Sequence, residues 1–303
     1  MITKFAIAGL GNIGQAIIDT HAEQKSQDMF LSGVIRRNMP LHTESVPYQI
    51  VTDIMDLTQI PRVVLCAAPS GVVKSDVIKY LSQGFCTVDC FDDHSKIYDQ
   101  KMELDEIAKK HKSVSIIATG WDPGFDSAIR ALYAQLSPMG ETITTFGPGR
   151  SMGHTTTAKA IPGVQDAVSI TLPGKKPGTH IRELYIVAPA ELHKSISDTV
   201  RQDSYFINNA KQETNIHFVD DIAQFDTRDH GGWLVNRGTC VNVETKLHGN
   251  NPIMTANMMY AAARAAVRAQ DAGKYGCFTV VELPLIDFIS GATVRDQLAK
   301  IRY

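Results

Sequence analysis

The chain has 303 residues, of which 44% are hydrophobic and 20% charged, with 30 basic and 32 acidic side chains and a formal net charge of −2. This length and composition predict about two globular domains with a substantial core. The near-neutral balance gives no electrostatic reason to expect a nucleic-acid or membrane-surface partner.

Cysteine usage and hydropathy favour a cytoplasmic protein without a metal. The five cysteines form no CxxC pair and have no zinc-ligand spacing, so we expect reduced thiols and no metal site. Glycines interrupt the apolar start of the chain, and no stretch is long and apolar enough to span a bilayer. We therefore expect neither a targeting signal nor a membrane anchor.

In chain order, the first 120 residues alternate short apolar runs with longer mixed segments. We predict strands at 2–8, 30–35, 62–68, 87–89 and 114–119, and helices at 12–22, 72–81 and 100–111. This rhythm is typical of an α/β fold with a Rossmann-type, doubly wound parallel sheet that helices cover on both faces.

After residue 120 the pattern changes. We predict a helix at 126–136, a strand and turn at 141–149, and polar strands at 169–172, 182–188, 215–219, 233–237 and 241–248. These segments favour an α+β domain with a mostly antiparallel sheet. A long helix is predicted at 254–270, and the apolar segment 278–283 could pair with either domain. We expect a nucleotide-binding domain over 1–120, with 252–303 packed back on it, and a second domain over 121–251.

A glycine-rich turn lies between the first predicted strand and the first helix. Gly9 would permit the tight turn, Gly11 would let the backbone approach a pyrophosphate, and Gly14 would let the helix pack on the sheet. Asn12 and Ile13 open that helix, whose N-terminus offers N–H groups and a partial positive charge to phosphates. The motif stands in the context that a dinucleotide site requires.

Two adjacent arginines, Arg36 and Arg37, follow the second predicted strand, where an NAD-specific protein usually has an acidic residue. A carboxylate would repel a 2′-phosphate, whereas guanidinium groups can bind it with charge-assisted hydrogen bonds. We therefore predict NADP as the cofactor in preference to NAD. The alternative is an exposed basic turn.

Polar residues also follow the later strands of the predicted sheet, at the edge where ligands bind. Pro69 and Ser70 follow one strand and are assigned to the cofactor. Asp89 and Asp92 follow the next strand, and Asp122 follows the last. An acidic pair beside a nicotinamide suits a substrate that carries an ammonium group. The alternative is that these acids form turns or cap helices, as we expect of the neighbouring Asp93.

A series of short motifs strengthens this interpretation. In chain order they are 87–89 (TVD), Asp92 with His94, 119–124 (TGWDPG), 146–149 (FGPG), Ser151 with Gly153 and His154, 161–164 (IPGV), and Asn251-Pro252. Their combination resembles the meso-diaminopimelate dehydrogenases over nearly the whole chain, from Ala6 to about Glu282. Each motif alone is short, but the set is specific.

The resemblance implies reversible oxidative deamination at the D-configured carbon of meso-2,6-diaminopimelate. The products would be L-2-amino-6-oxopimelate, ammonia and NADPH. It also implies a homodimer, a substrate-binding and dimerisation role for the second domain, and no metal.

The resemblance further assigns site residues. The reacting amino group is expected near the catalytic carboxylates Asp89, Asp92 and Asp122. The substrate would also be bound by the pocket walls Trp121 and Phe146, by the backbone of Met152 and Gly153 before a helix that starts near His154, and by Thr171, Arg182, His230 and Asn251 at its distal end. Arg182 would supply a bidentate contact to the distal carboxylate. His230 could contact the ligand or belong to a turn.

One departure from the family pattern bears on the substrate. The stretch 173–179 is shorter than in many members, which resembles a compact subtype that accepts a wider range of D-amino acids. An NADP-dependent D-amino-acid dehydrogenase of broader or different substrate is therefore an alternative. A non-catalytic NADP sensor is a second one, although a sensor should lack the aspartates on the ligand edge.

Overall fold

The structure is a computed structural model that describes residues 2–38, 46–206, 212–225, 229–291 and 293–302. The chain divides into two compact units, one of Met1–Ala131 with Pro252–Tyr303 and the other of Leu132–Asn251. The sequence predicted one domain over 1–120 with 252–303 and another over 121–251. Within the first unit, the backbone N–H groups of Phe125 and Asp126 donate to the carbonyl groups of Gly120 and Trp121.

The first unit is built on a seven-stranded sheet in which every neighbouring pair is parallel. Its strands are β1 (Thr3–Ala8), β2 (Met29–Ile35), β3 (Ile50–Val51), β4 (Val63–Cys66), β5 (Cys86–Asp89), β6 (Val114–Ile116) and β14 (Gly276–Phe278). They lie in the order β14-β6-β5-β4-β1-β2-β3. From β1 the chain first adds β2 and β3 on one side and then β4, β5, β6 and β14 on the other side. The predicted doubly wound fold is therefore confirmed.

Helices cover both faces of this sheet, with α1 (Asn12–Gln24) and α7 (Asn251–Asp271) on one face and α2 (Ser70–Ser82) and α3 (Ile97–Lys110) on the other. Two further helices are α4 (Phe125–Leu136) and α8 (Val294–Ala299). Successive residues of a strand point to opposite faces. Phe5 and Ile7 of β1 therefore pack in the core with α1 and α7, whereas Ala6 and Ala8 pack in the core with α2 and α3.

The described residues of the second unit form two smaller sheets, together with the helices α5 (Met152–Lys159) and α6 (His193–Gln202). The strands are β7 (Glu141–Phe146), β8 (Gly149–Arg150), β9 (Asp166–Pro173), β10 (His180–Val187), β11 (Gln212–Phe218), β12 (Asp229–Arg237) and β13 (Asn242–Asn250). One sheet has the order β11-β10-β9-β8 and the other β13-β12-β7. Among the described strands of this unit, β10 and β11 pair in parallel and the other pairs are antiparallel, so the predicted, mostly antiparallel α+β domain is confirmed.

Some element bounds differ from the predicted ones. β6 ends at Ile116 instead of residue 119, because Ala118 adopts a φ of 58° and the next residue bonds to the carbonyl of Asp89. The helix α6 was not predicted, since only Ile196 and Val200 form its buried stripe in an otherwise polar sequence. None of the helices in the described ranges combines the length and apolar character that a bilayer crossing requires.

Candidate active site

The turn between β1 and α1 has the geometry that its glycines require. Gly9 has a φ of +99°, and a Cβ on it would lie 3.0 Å from the carbonyl oxygen of Ala67. A Cβ on Gly14 would lie 2.2 Å from the carbonyl oxygen of Gly9, so only glycine lets the helix approach the turn this closely. Gly11 instead faces open space, with nothing within 4 Å of a Cβ. The first turn of α1 has no side-chain cap, which leaves its N–H groups available to an anion.

A cavity of about 460 Å³ opens beside this turn. Five of the predicted cofactor residues line it, namely Gly9, Gly11, Arg36, Arg37 and Pro69. Asn12, Ile13 and Gly14 belong to the adjoining first turn of α1 and do not line the cavity. The open glycine suits close approach of a pyrophosphate to the backbone, which a Cβ at Gly11 would crowd.

Three further polar residues line the cavity that the sequence interpretation missed: Thr52, Asp76 and Lys79. The Arg37 guanidinium lies 3.9 Å from the Asp76 carboxylate. Three cations and one acid thus surround the cavity, which suits a ligand carrying several phosphates. Thr52 directly follows β3, whereas Asp76 and Lys79 lie on α2. A sequence signal for Lys79 is its place on the helix that follows β4.

Asp89 is the last residue of β5 and is fully buried. Its Oδ1 accepts hydrogen bonds from the backbone N–H groups of Phe91 at 2.9 Å and Ala118 at 3.3 Å. Its Oδ2 has no hydrogen-bond partner among the residues that the structure describes. Burial outweighs the two donors and raises the pKa of Asp89 to about 6. The group can therefore exchange a proton near neutral pH.

Asp122 lies in the turn between β6 and α4, and its side chain is 11% exposed. His94 Nε2 lies 3.7 Å from its Oδ1. Burial, followed by the nearby Asp126 carboxylate, raises the pKa of Asp122 to about 6. Trp121 beside it is 5% exposed. Two carboxyl groups of the first unit are thus placed in surroundings that suit proton transfer near neutral pH.

Asp92 differs from these two acids because it is exposed. Its Oδ1 accepts a hydrogen bond of 2.5 Å from Ser70 Oγ, and its backbone N–H donates to the same hydroxyl at 3.2 Å. The structure therefore joins a residue assigned to the cofactor with one assigned to catalysis. This pair fixes the loop after β5 against the N-terminus of α2.

In the second unit, Arg182 on β10 lies in register with Thr171 on β9. It is only 4% exposed, and its Nε and Nη1 atoms have no hydrogen-bond partner within the described ranges. Burial lowers the pKa of Arg182 to about 10, so the group remains a cation at neutral pH. A buried cation with unused N–H donors is costly without an anion, and a carboxylate matches its planar fork.

The remaining predicted residues of this unit lie at element ends or on strands. Phe146 ends β7, its N–H donates to His180 Nδ1 at 3.1 Å, and the two rings are 5.2 Å apart. His230 lies on β12, not in a turn, and burial lowers its pKa to about 4, which makes the imidazole neutral. Asn251 begins α7.

The expectation that a helix starts near His154 was wrong by two residues. Met152 and Gly153 are the first residues of α5, which has no side-chain cap. First-turn N–H groups have no partner within their own helix, so both can still bind an anion. His154 itself stacks on Tyr205, with ring centroids 4.1 Å apart, and burial lowers its pKa to about 3.

Ser169 is a further buried polar residue that the sequence interpretation did not single out; it precedes Thr171 by two residues on β9. Its hydroxyl has no partner in the described part of the chain. Residues i and i+2 of a strand share a face, so this hydroxyl lies on the same face as Thr171. That alternation is the signal that could have identified it.

The described residues contain no group of three or more His, Cys, Asp or Glu side chains that could hold a metal ion.

Comparison with known proteins agrees with this geometry. Residues 120–179 match the family described as the diaminopimelic acid dehydrogenase C-terminal domain. The chain is 37% identical to the meso-diaminopimelate D-dehydrogenase of Bacteroides fragilis over 298 residues, which cover 95% of each protein. It is 31% identical to that of Corynebacterium glutamicum over 308 residues, with 92% of this chain and 93% of the relative covered.

Two solved structures share the fold over their full length. The C. glutamicum DAP dehydrogenase in complex with DAP has a TM-score of 0.85 at 30% identity, with 98% of both chains covered. An engineered D-amino acid dehydrogenase bound to NADP+ has a TM-score of 0.84 at 29% identity, with 99% of both covered. The chain therefore belongs to the meso-diaminopimelate D-dehydrogenase family.

Proposed function

We propose that the chain catalyses the NADP-dependent, reversible oxidative deamination of meso-2,6-diaminopimelate at its D-centre, giving L-2-amino-6-oxopimelate, ammonia and NADPH. The observation that carries the substrate class is Arg182, a nearly fully buried guanidinium with two unpartnered N–H donors among the described residues. A carboxylate from a ligand would satisfy these donors and the buried charge. The relatives named above carry the same activity in their names.

NADP fits the residues of the first unit. The open face at Gly11, the uncapped first turn of α1 and the cations Arg36, Arg37 and Lys79 suit a pyrophosphate and a 2′-phosphate. When bound, NADP supplies the hydride acceptor. The engineered D-amino acid dehydrogenase that shares this fold is itself bound to NADP+.

The protein must also handle protons. An amine can lose a hydride from its carbon only as the neutral base, so the substrate ammonium must first give up a proton. Asp89 and Asp122, each with a pKa raised to about 6, are ionised at mildly alkaline pH and can accept that proton. The same groups can then assist water attack on the iminium and the departure of ammonia. We assign proton acceptance and the assistance of water attack to Asp89 and Asp122 together, and we propose Asp92 as a third catalytic carboxylate.

Stereochemistry follows from anchoring the substrate at both ends. Arg182, with Thr171, His230 and Asn251, would hold the distal amino-acid end, while the first turn of α5 would hold the proximal carboxylate. Trp121 and Phe146 would wall the pocket. A neutral His230 adds hydrogen bonds without adding charge.

The test is a spectrophotometric assay of NADPH formation with meso-, LL- and DD-diaminopimelate. We expect strong activity with the meso isomer and none with LL, which lacks a D-centre. Activity with DD reports how strictly the distal L-centre is recognised. Asp122→Asn should lose most of the meso activity, and an unchanged rate would remove that residue from the mechanism. Absence of NADPH formation with meso-diaminopimelate would refute the proposed function.

A broader D-amino-acid activity is the second candidate. The connection between β9 and β10 is a short turn, in which the Gly174 N–H donates to the Thr179 carbonyl at 2.7 Å. No long loop therefore stands between these two strands in the described range 46–206. An engineered D-amino acid dehydrogenase shares the fold. A panel of neutral D-amino acids tests this candidate, because only a permissive distal site would turn them over at rates comparable to the meso isomer.

We also propose a cytoplasmic homodimer. All five cysteines are free, and three of them are buried, as is usual in a reducing compartment. The homodimer follows from the family resemblance and from the role in dimerisation assigned to residues 121–251. Light scattering on the purified chain measures its mass in solution, and a monomer would contradict the proposal.

A further inference from the structure

Asp126 is a buried acid that the mechanism has not used. It lies in the first turn of α4, where an acidic residue normally faces solvent and interacts with the helix dipole. Here the residue is 3% exposed. Stabilising a helix N-terminus does not require burial of the charge, so the position of Asp126 calls for another reason.

Each carboxylate oxygen of Asp126 has a different environment. Oδ2 accepts a hydrogen bond of 2.7 Å from Arg130 Nε, one turn further along α4. Oδ1 is buried and has no hydrogen-bond partner in the described ranges. The guanidinium therefore fixes the orientation of the group and leaves one oxygen available to a donor.

Asp122 precedes Asp126 by four residues, and the Asp126 carboxylate raises the pKa of Asp122 both by its charge and by a side-chain hydrogen bond to the protonated form. Two ionised carboxylates this close repel each other, whereas one shared proton turns the repulsion into a hydrogen bond. The charged groups that act on Asp122 are His94 from the loop after β5, and Asp126 and Arg130 from α4. His94 and Arg130 favour its ionised form, and Asp126 opposes it.

We propose that Asp126, held by Arg130, is a positioning residue that accepts a hydrogen bond from the Asp122 carboxyl, so that the two acids hold one proton between them. This inference rests on the proposed function for its place in the reaction. When the substrate ammonium gives up a proton, its N–H bond breaks and an O–H bond forms on Asp122. That O–H group then points to Asp126, and the amine remains neutral. In the reverse direction the same proton returns to the amine.

The test compares the pH profile of kcat/KM for Asp126→Asn, Arg130→Gln and Arg130→Lys with that of the wild-type chain. Removing the like charge of Asp126 should move the acid limb to lower pH, and removing the Arg130 cation should move it to higher pH. We divide kcat/KM by its plateau value for each protein and compare this ratio with that of the wild type, at a pH about one unit below the wild-type midpoint. The ratio should be about threefold higher in Asp126→Asn and about threefold lower in Arg130→Gln. Arg130→Lys keeps the charge and should leave the limb unchanged.

Opposite shifts distinguish this role from a structural one, since a loosened helix would lower activity at every pH alike. Shifts of the same sign, or none, would overturn the proposal. A second measurement does not depend on turnover: carboxyl ¹³C NMR of the chain labelled at aspartate, with the Asp122 signal assigned by Asp122→Asn. The Asp122 titration should move down in Asp126→Asn and up in Arg130→Gln. If meso-diaminopimelate is not a substrate, this titration still decides the present inference. If Asp126→Asn does not fold, Arg130→Gln decides it.

Discussion

Asp89 should make the stability of the protein fall as the pH rises, and Asp89→Asn should remove that effect. The carboxyl is fully buried, and burial raises its pKa from 3.8 to about 6 in the folded chain. A raised carboxyl pKa means that the folded state binds the proton more tightly than the unfolded state. The group therefore costs no stability below about pH 4, and the cost grows between about pH 4 and 6 and is complete above it.

The magnitude follows from the two pKa values. Well above both of them, the ionised Asp89 costs about 3 kcal/mol relative to its neutral form. Between about pH 5 and pH 8 the cost grows by about 1.4 kcal/mol. Asparagine keeps an acceptor for the N–H groups of Phe91 and Ala118 and carries no charge, so its stability should lack this component.

The assay is urea unfolding of the wild-type chain and Asp89→Asn at both pH values. The comparison between pH values cancels the constant effect of the substitution, including the buried amide N–H that asparagine introduces. We expect the wild type to lose about 1.4 kcal/mol more than the variant on going to the higher pH. Identical pH dependence in the two proteins would refute the reasoning. The variant should also lose most of its dehydrogenase activity, which would separate the function of the charge from its effect on stability.

Three further predictions concern the two binding regions. Arg182→Met should raise the KM for diaminopimelate by a factor of about 10² to 10³. Because the substitution removes a buried charge, it should also raise Tm in the absence of substrate. A lower Tm together with an unchanged KM would contradict both expectations. Replacing Arg36 and Arg37 by alanine should weaken NADPH binding by about tenfold or more relative to NADH in fluorescence titrations, whereas equal losses would exclude a contact with the 2′-phosphate. Gly14→Ala places a Cβ 2.2 Å from a carbonyl oxygen and should lower both Tm and the affinity for NADPH. In the control Gly71→Ala the added Cβ meets nothing within 4 Å, so Tm and NADPH affinity should not change. Equal effects of the two substitutions would refute the steric argument.

The strand-to-helix turn shows how far local sequence reaches. The motif of Gly9, Gly11 and Gly14 predicted the turn, and the tight approach of Gly14 to the Gly9 carbonyl is a contact between residues only five apart in the chain. Arg36 and Arg37 were found from their place after the second predicted strand. The sequence could not show that Gly9 also lies against the carbonyl of Ala67. Thr52, Asp76 and Lys79 were not found, because they reach the same cavity from separate elements.

The strand ends show the same division. The order of strands and helices predicted that Asp89 and Asp122 follow strands of a parallel sheet, and the structure places them there. The order of elements could not predict the buried environment that raises the pKa values of Asp89 and Asp122, because that environment depends on packing. The Asp89 carboxylate, for example, accepts from Ala118, which is 29 residues away.

The sequence by itself determined the doubly wound domain, the dinucleotide turn and the set of acids on the ligand edge. Each of these rests on periodicity or on short-range spacing, which the chain carries locally. Only the tertiary structure decided that Arg182 is buried with unused donors, that His230 is neutral on a strand, and that Asp126 is buried with one oxygen that has no hydrogen-bond partner among the described residues. Burial and electrostatic environment are sums over distant segments, so they become defined only when the chain is folded.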